Sequence, residues 1–303
     1  MISRRTFLTL FGGTIAAGIG LGGYAFGVEP VLRLRVQRYQ VTPDNWPEGL
    51  RLKLALIADP HAVEPWMTAD RLARIAEFTN TLEADAILLL GDYDAGHHWR
   101  TGDVLASNWA PALGRLEAPL GVHAVLGNHD WWHDRTAQRN GHGPVYGRLA
   151  LEAAGIPVYE NDVVRLEKDG QGFWLAGLGD QLALLPGEAY GRPHFIGFDD
   201  LDGTLAKITD DAPVVLLAHE PDIFPRVPPR VALTVSGHTH GGQVRLFGYS
   251  PVVPSAYGNR YAYGHVVEEN RHLVISGGLG CSILPVRFGM PPEIVLIELG
   301  VQA

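Results

Sequence analysis

The chain has 303 residues, 46% hydrophobic and 19% charged, with a formal net charge of -9. That is the make-up of a soluble globular protein of one or two domains, and without a run of Lys or Arg it excludes a groove for nucleic acid. A single cysteine, Cys281, excludes an intramolecular disulfide; in "GGLGCSILP" it reads as a small packing residue.

The first segment, "MISRRTFLTLFGGTIAAGIGLGGYAFGVEP", sets Arg4 and Arg5 ahead of an uncharged run rich in glycine and alanine. A basic stretch followed by an apolar one reads as a leader and not as part of the fold. "SRRTFL" resembles a twin-arginine export signal, which implies the twin-arginine export machinery as a partner and an exported, periplasmic or extracytoplasmic location. The run is also long enough to serve as a membrane anchor. The expected division is a leader or anchor over residues 1–27 and one catalytic domain over 28–303.

Beyond it, apolar runs each end in a polar cluster. "RLKLALIADPH" meets Asp59 and His61; "ADAILLLGDYD" ends at Asp92; "GVHAVLGNHDWW" ends at Asn128 and His129; "APVVLLAHEPD" reaches His219; "VALTVSGHTHG" reaches His238 and His240. Continuous apolar runs of this length suit strands covered on both faces. Between them, 68–82 carries a helical period with Thr68 as its N-cap, 103–117 a weaker one with an internal proline, and 198–208 a short one. Strand–helix alternation argues for an α/β architecture, and late strands with no helix between them suggest a second sheet packed on the first. In open α/β sheets ligands bind beyond the carboxyl ends of the strands, so the five polar clusters are expected to converge.

Asp59, His61, Asp92, Asn128, His219, His238 and His240 exceed what one ion needs. They suit two divalent ions sharing a bridging carboxylate, and mixed imidazole and carboxylate donors favour Mn, Fe or Zn. The other histidines (His123, His133, His142, His194, His265 and His272) read as ordinary surface or core residues. Asp94, His97 and His98 read as solvated loop residues, with a lining of the substrate entry or an outer metal contact as the alternatives. Trp131 and Trp132 read as loop packing, with an apolar lip as the alternative. The segment 182–197 suggests a local flap, and 244–265 either covers the site or faces a partner.

The series D-x-H, G-D, G-N-H-D, H and G-H-x-H, in this order, resembles the calcineurin-like metallophosphoesterase superfamily over nearly the whole mature chain. "GHTHGGQ", "HEPD" and the tail "GGLGCSILPVRFGMPPEIVLIEL" are similar to its bacterial branch of YkuE-like and YaeI-like phosphodiesterases. The resemblance implies a four-layer αββα sandwich. It implies that Asp59, His61, Asp92 and His240 hold one metal, that Asp92 bridges, and that Asn128, His219 and His238 complete the second. It further implies that His129 faces the phosphate and that Asp130 orients His129 through its other ring nitrogen. The implied reaction is hydrolysis of a phosphoester, with a diester preferred, by a hydroxide shared between the two ions. Substrates outside the cytoplasm would be lipid-linked or cell-wall-linked phosphoesters. A lipid pyrophosphatase of the UDP-2,3-diacylglucosamine type, and a non-catalytic metal-stabilised protein that binds a phosphorylated ligand, are the alternatives.

Overall fold

The computed structural model describes residues 4–301; the side chain of Arg5, half of the basic pair, lies outside the described residues. The first sheet has five strands in the order Arg35–Val41, Glu293–Leu299, Leu52–Ile57, Ala86–Leu89, Val122–Ala124. The second has six, in the order Gly264–Glu268, Arg271–Ile275, Val231–Ser236, Val214–Leu217, Gln171–Gly177, Asp162–Lys168. Leu52–Ile57, Ala86–Leu89 and Val122–Ala124 pair in parallel. So do Gln171–Gly177, Val214–Leu217, Val231–Ser236 and Arg271–Ile275. The last strand, Glu293–Leu299, lies antiparallel to Leu52–Ile57 and parallel to Arg35–Val41.

Successive side chains on a strand point to opposite faces, and the strands use both. Leu54 and Leu56 enter a core between the sheets with Leu88, Val215, Leu217, Leu233 and Val235, while Ala55 and Ile57 enter a second core beneath the helices with Leu72, Trp109 and Leu151. A third core sets Ala176, Leu216 and Ile275 against Leu201, Ile223 and Phe224. The layers run helix, sheet, sheet, helix: the αββα sandwich expected. Burial of both strand faces is the physical reason for the unbroken apolar runs.

The helix expected over 68–82 spans Ala69–Asn80, and Thr68 Oγ1 accepts from Arg71 N at 3.1 Å. The proline-bearing helix is shorter than its pattern, Ala106–Leu113, with Pro111 in its last turn and no side-chain cap at Leu105. Of the late strands, Gly264–Glu268 and Arg271–Ile275 build the edge of the second sheet.

At the N-terminus, helix Arg4–Gly23 continues through a wider turn at Tyr24–Val28 into Glu29–Leu32. Among the described residues no helix is long and apolar enough to cross a membrane. The C-terminal end of this rod is docked: Arg287 N donates to Ala25 O at 2.9 Å, and Met290 N donates to Glu29 Oε1 at 2.7 Å. The expected boundary at 27/28 therefore falls inside a stretch already bonded to the body of the protein.

Candidate metal centre

Each candidate donor sits just past a strand end: Asp59 and His61 after Leu52–Ile57, Asp92 after Ala86–Leu89, Asn128 after Val122–Ala124, His219 after Val214–Leu217, His238 and His240 after Val231–Ser236. Three ends come from the first sheet and two from the second, so the donors meet where the two sheets open. The turns are tight. Asp59, His61, Asp92, His238 and His240 all hold positive φ, from 44° to 66°, a region that costs a non-glycine residue about 1 to 3 kcal/mol and persists where the surroundings enforce it. Gly127 is required by close approach: a Cβ there would overlap Asp92 Oδ1 and stand 2.6 Å from His219 Cε1.

The side chains converge as their placement suggests. Donor atoms of Asp59, His61 and His240 lie within 4.8 Å of one another, as do those of Asp92, His219 and His238, and those of His61, Asp92 and His129. Asp92 Oδ2 stands between the two sets, 3.5 Å from His61 Nε2 and 3.3 Å from His219 Nε2. His238 Nδ1 is 2.9 Å from Asn128 Oδ1, which brings the amide into the second set. All seven expected donors are thus in one place.

Three observations fit this donor set to cations. First, the ring protons are placed away from the centre. His61 Nδ1 donates to Asp94 O at 2.7 Å and His219 Nδ1 to Leu90 O at 2.6 Å, leaving each Nε2 lone pair facing inward, the arrangement by which a backbone carbonyl selects a ligating tautomer. Second, the fully buried Asp59 Oδ2 and His219 Nε2 have no hydrogen-bond partner, a costly state that a cation would relieve. Third, His61 Nε2 and His240 Nε2 face each other at 3.1 Å, close for two nitrogens that share at most one proton. His240 differs in one respect. Its Nδ1 faces the Arg287 guanidinium, which can only donate, at 3.3 Å, and this contact has to loosen for Nε2 to carry a free lone pair.

Electrostatics point the same way. Burial pushes the Asp59 carboxyl up to about 7, against the pull of His219 and with the help of Asp92. Burial likewise works to raise Asp92, but the imidazoles of His219, His129 and His61 outweigh it and hold that carboxyl well below its usual range. Burial drops His61 to about 3 and His129 to about 4, so both are neutral imidazoles.

His129 lies at this centre, its ring 4.9 Å from that of His61 and its backbone N donating to Asp92 Oδ1 at 2.8 Å. Asp130 does something other than orient it. The Asp130 carboxylate accepts from Gly127 N at 2.9 Å, Asp92 N at 3.0 Å, Tyr93 N at 2.8 Å and Asp94 N at 3.4 Å. It ties the Asp92 turn to the Asn128 turn, because as the third residue of its helix it faces back over free backbone donors. The partner of the His129 ring is His133, whose Nε2 is 3.4 Å from His129 Nδ1, while Ser282 Oγ is 3.4 Å from His129 Nε2.

Asp94 and His97, expected in solvent, are buried. Asp94 supplies the carbonyl for His61 and accepts from Trp109 Nε1 at 3.0 Å and from Tyr146 OH at 2.5 Å. His98 is exposed. Trp131 packs 4.8 Å from Phe198, and Trp132 donates to Leu182 O at 2.8 Å, so both pack the loop as expected. The segment 182–197 folds back on itself through a Leu184–Ile196 bridge and lays Phe195 on Trp132. Arg287, His133 and Ser282 were not signalled in sequence. The spacing of His129 and His133, four apart on a helix, is the one clue that could have found a member of this group.

A family model described as calcineurin-like phosphoesterase matches residues 52–242, the span from the first donor-bearing strand to the glycines after His240. The uncharacterized metallophosphoesterase YkuE of Bacillus subtilis is 30% identical, over 98% of each chain. The phosphodiesterase YaeI of Escherichia coli is 29% identical over 99% of this chain and 100% of that one. The transmembrane protein with metallophosphoesterase domain of Danio rerio is 27% identical over 98% of this chain, which spans 63% of that protein.

Proposed function

Because the chain belongs to the calcineurin-like phosphoesterase family, we propose that it is a metal-dependent phosphodiesterase using two divalent ions, Mn, Fe or Zn. The observation that carries the reading is the placement of Asp92 Oδ2, shared between His61 at 3.5 Å and His219 at 3.3 Å. Asp59, His61, Asp92 and His240 would hold one ion, and Asp92, Asn128, His219 and His238 the other. Bound there, such ions supply Lewis acidity for phosphoryl oxygens and a water nucleophile that is active near neutral pH.

The chain's own residues do the rest. His129, neutral because burial drops it to about 4, offers a ring N–H and not a free proton, so its role is to donate a hydrogen bond to a phosphoryl or leaving oxygen. His133 and Ser282 flank its two nitrogens and fix the ring plane. Asp130 holds the two turns in register through backbone donors. The preference for a diester rests on the likeness to the phosphodiesterase YaeI of Escherichia coli. The leader reading of residues 1–27, and an exported location with it, is kept as a proposal on the strength of Arg4-Arg5 ahead of an uncharged run.

The test is metal content of the purified full chain, followed by assay of a chromogenic diester and its monoester with and without added Mn. About two ions per chain with Mn-dependent diester turnover supports the proposal. Failure to take up metal after reconstitution overturns it, and turnover of the monoester alone moves the substrate class.

A further inference from the structure

About half of the large apolar side chains left in water among the described residues are gathered in three stretches beside the candidate metal site. The turn closed by mutual backbone bonds between Leu246 and Tyr249 lifts Phe247 fully into solvent, with Tyr249 and Leu246 exposed beside it and Val252 70% exposed further on. Ile283 is 74% exposed, and Leu284 follows it. Backbone and amide bonds knit these stretches into one surface: Gln243 Nε2 donates to Leu284 O at 3.1 Å, Ser282 N donates to Gln243 Oε1 at 2.5 Å, and Arg245 N donates to Phe288 O at 2.8 Å.

The N-terminal rod ends on the same strip. Ala25 O takes the Arg287 N–H, and the Tyr24 ring lies 6.0 Å from Phe288. Above that contact the rod leaves Ile19 71% exposed, with Leu21, Phe26 and Val28 also in water. The three stretches are uncharged: no Asp, Glu, Lys or Arg occurs in 6–28, 246–259 or 281–286. The strip borders the proposed catalytic group, since Ser282 Oγ is 3.4 Å from His129 Nε2 and Ile283 is the next residue.

An exposed apolar surface of this extent marks a contact. Its shape decides what covers it. Phe247 stands at the tip of a turn as a wedge, not as the wall of a groove, and the uncharged stretches are bracketed in sequence by basic residues outside the core, Arg245, Arg260 and Arg33. A fluid apolar phase accepts wedges and bare apolar helices, whereas a folded partner needs complementary hollows and rim hydrogen bonds. We propose that this strip, formed by residues 246–252, 283–284 and the exposed side of the N-terminal rod, seats on a lipid bilayer, and that the substrate is a phosphoester carried by a membrane lipid. The second half rests on the phosphodiesterase reading; the first does not.

The experiment uses the purified full chain and phosphatidylcholine vesicles, plain or brominated in the acyl chains. Phe247→Trp places a reporter at the tip. Bromolipid is expected to quench it beyond the quenching of the wild-type tryptophans, and equal quenching overturns the bilayer contact. F247D/V252D is expected to lower vesicle partition roughly tenfold or more, as for two apolar side chains withdrawn from contact, with metal content and turnover of a soluble chromogenic diester unchanged. A blue shift of the tip reporter with rising protein concentration and no vesicles, together with a doubled mass in light scattering, identifies a second copy as the occupant and overturns the proposal. Quenching with soluble turnover but release of neither phosphocholine nor choline from the vesicles overturns the lipid substrate and leaves the contact standing. Quenching with no turnover on any diester instead sinks the phosphodiesterase reading.

Discussion

Asp92 uses every face of one carboxylate. Oδ1 accepts from His129 N, Oδ2 lies between His61 and His219, and its own N–H is held by Asp130. Asp92→Asn keeps the size and removes the charge two cations would share. It is expected to drop metal content below one ion per chain and to abolish turnover, read by elemental analysis and a diester assay. His129→Ala should keep both ions and lower kcat by about 100-fold or more, the usual loss when a positioned hydrogen-bond donor to a developing oxyanion is removed; loss of metal as well would show His129 to be a structural prop. Arg287 is the least expected residue at this scale. Its guanidinium, fully buried, donates to Gly280 O and to Met290 O at 2.9 Å. Arg287→Met strands those carbonyls and is expected to cost about 3 kcal/mol, seen as a lower urea midpoint with unchanged slope. The donors were legible because each lies in a short motif at a strand end. Arg287 was not, since an arginine in "PVRFGM" carries no periodicity or partner spacing that separates it from a surface residue.

Elements show the same division between what local pattern encodes and what packing decides. Thr68 before Ala69–Asn80 was readable because its hydroxyl satisfies a free backbone donor of the first turn. Thr68→Ala is expected to cost about 1 kcal/mol without touching metal content, which separates stability from site integrity in one variant. The hairpin Asp162–Lys168 and Gln171–Gly177 was passed over because its first strand mixes charged and apolar residues. Its turn, Asp169-Gly170 with both φ positive, carries the signal that finds it. The role of Asp130 was missed for a related reason. The resemblance implies a partner for the His129 ring, but the place of Asp130 in the first turn of helix Asn128–Trp132 turns it towards backbone N–H groups instead.

For the whole molecule, apolar runs buried on both faces pointed to an α/β fold with a second packed sheet and the family resemblance to four layers, while the strand order followed from neither. Nothing local in "EIVLIEL" says that it inserts between Arg35–Val41 and Leu52–Ile57; that is settled by which edge remains open once the other strands have paired. Joining the two sheets through one cluster of buried acids and imidazoles would also link stability to metal. Chelation of the loaded protein is expected to lower Tm by roughly 5 to 10 °C, the consequence of losing ligands present at about a hundred times their Kd, and scanning fluorimetry with and without chelator reads it. An unchanged Tm would mean the acids are neutralised by protons and not by bound cations.

The placement of Glu293–Leu299 sets a clock on biosynthesis. This strand lies in the interior of the first sheet, yet in sequence it follows all four other strands of that sheet. Its partner Arg35–Val41, on the sheet edge, has no other strand to pair with until residue 299 has left the ribosome. The nascent protein must therefore wait, with the apolar edge of Leu52–Ile57 open, until residues 293–299 are made before the first sheet can close. Closure of this sheet is governed by contacts more than 250 positions apart, and a chain stopped before residue 293 would be held back by an unfinished sheet even with all seven candidate donors already made.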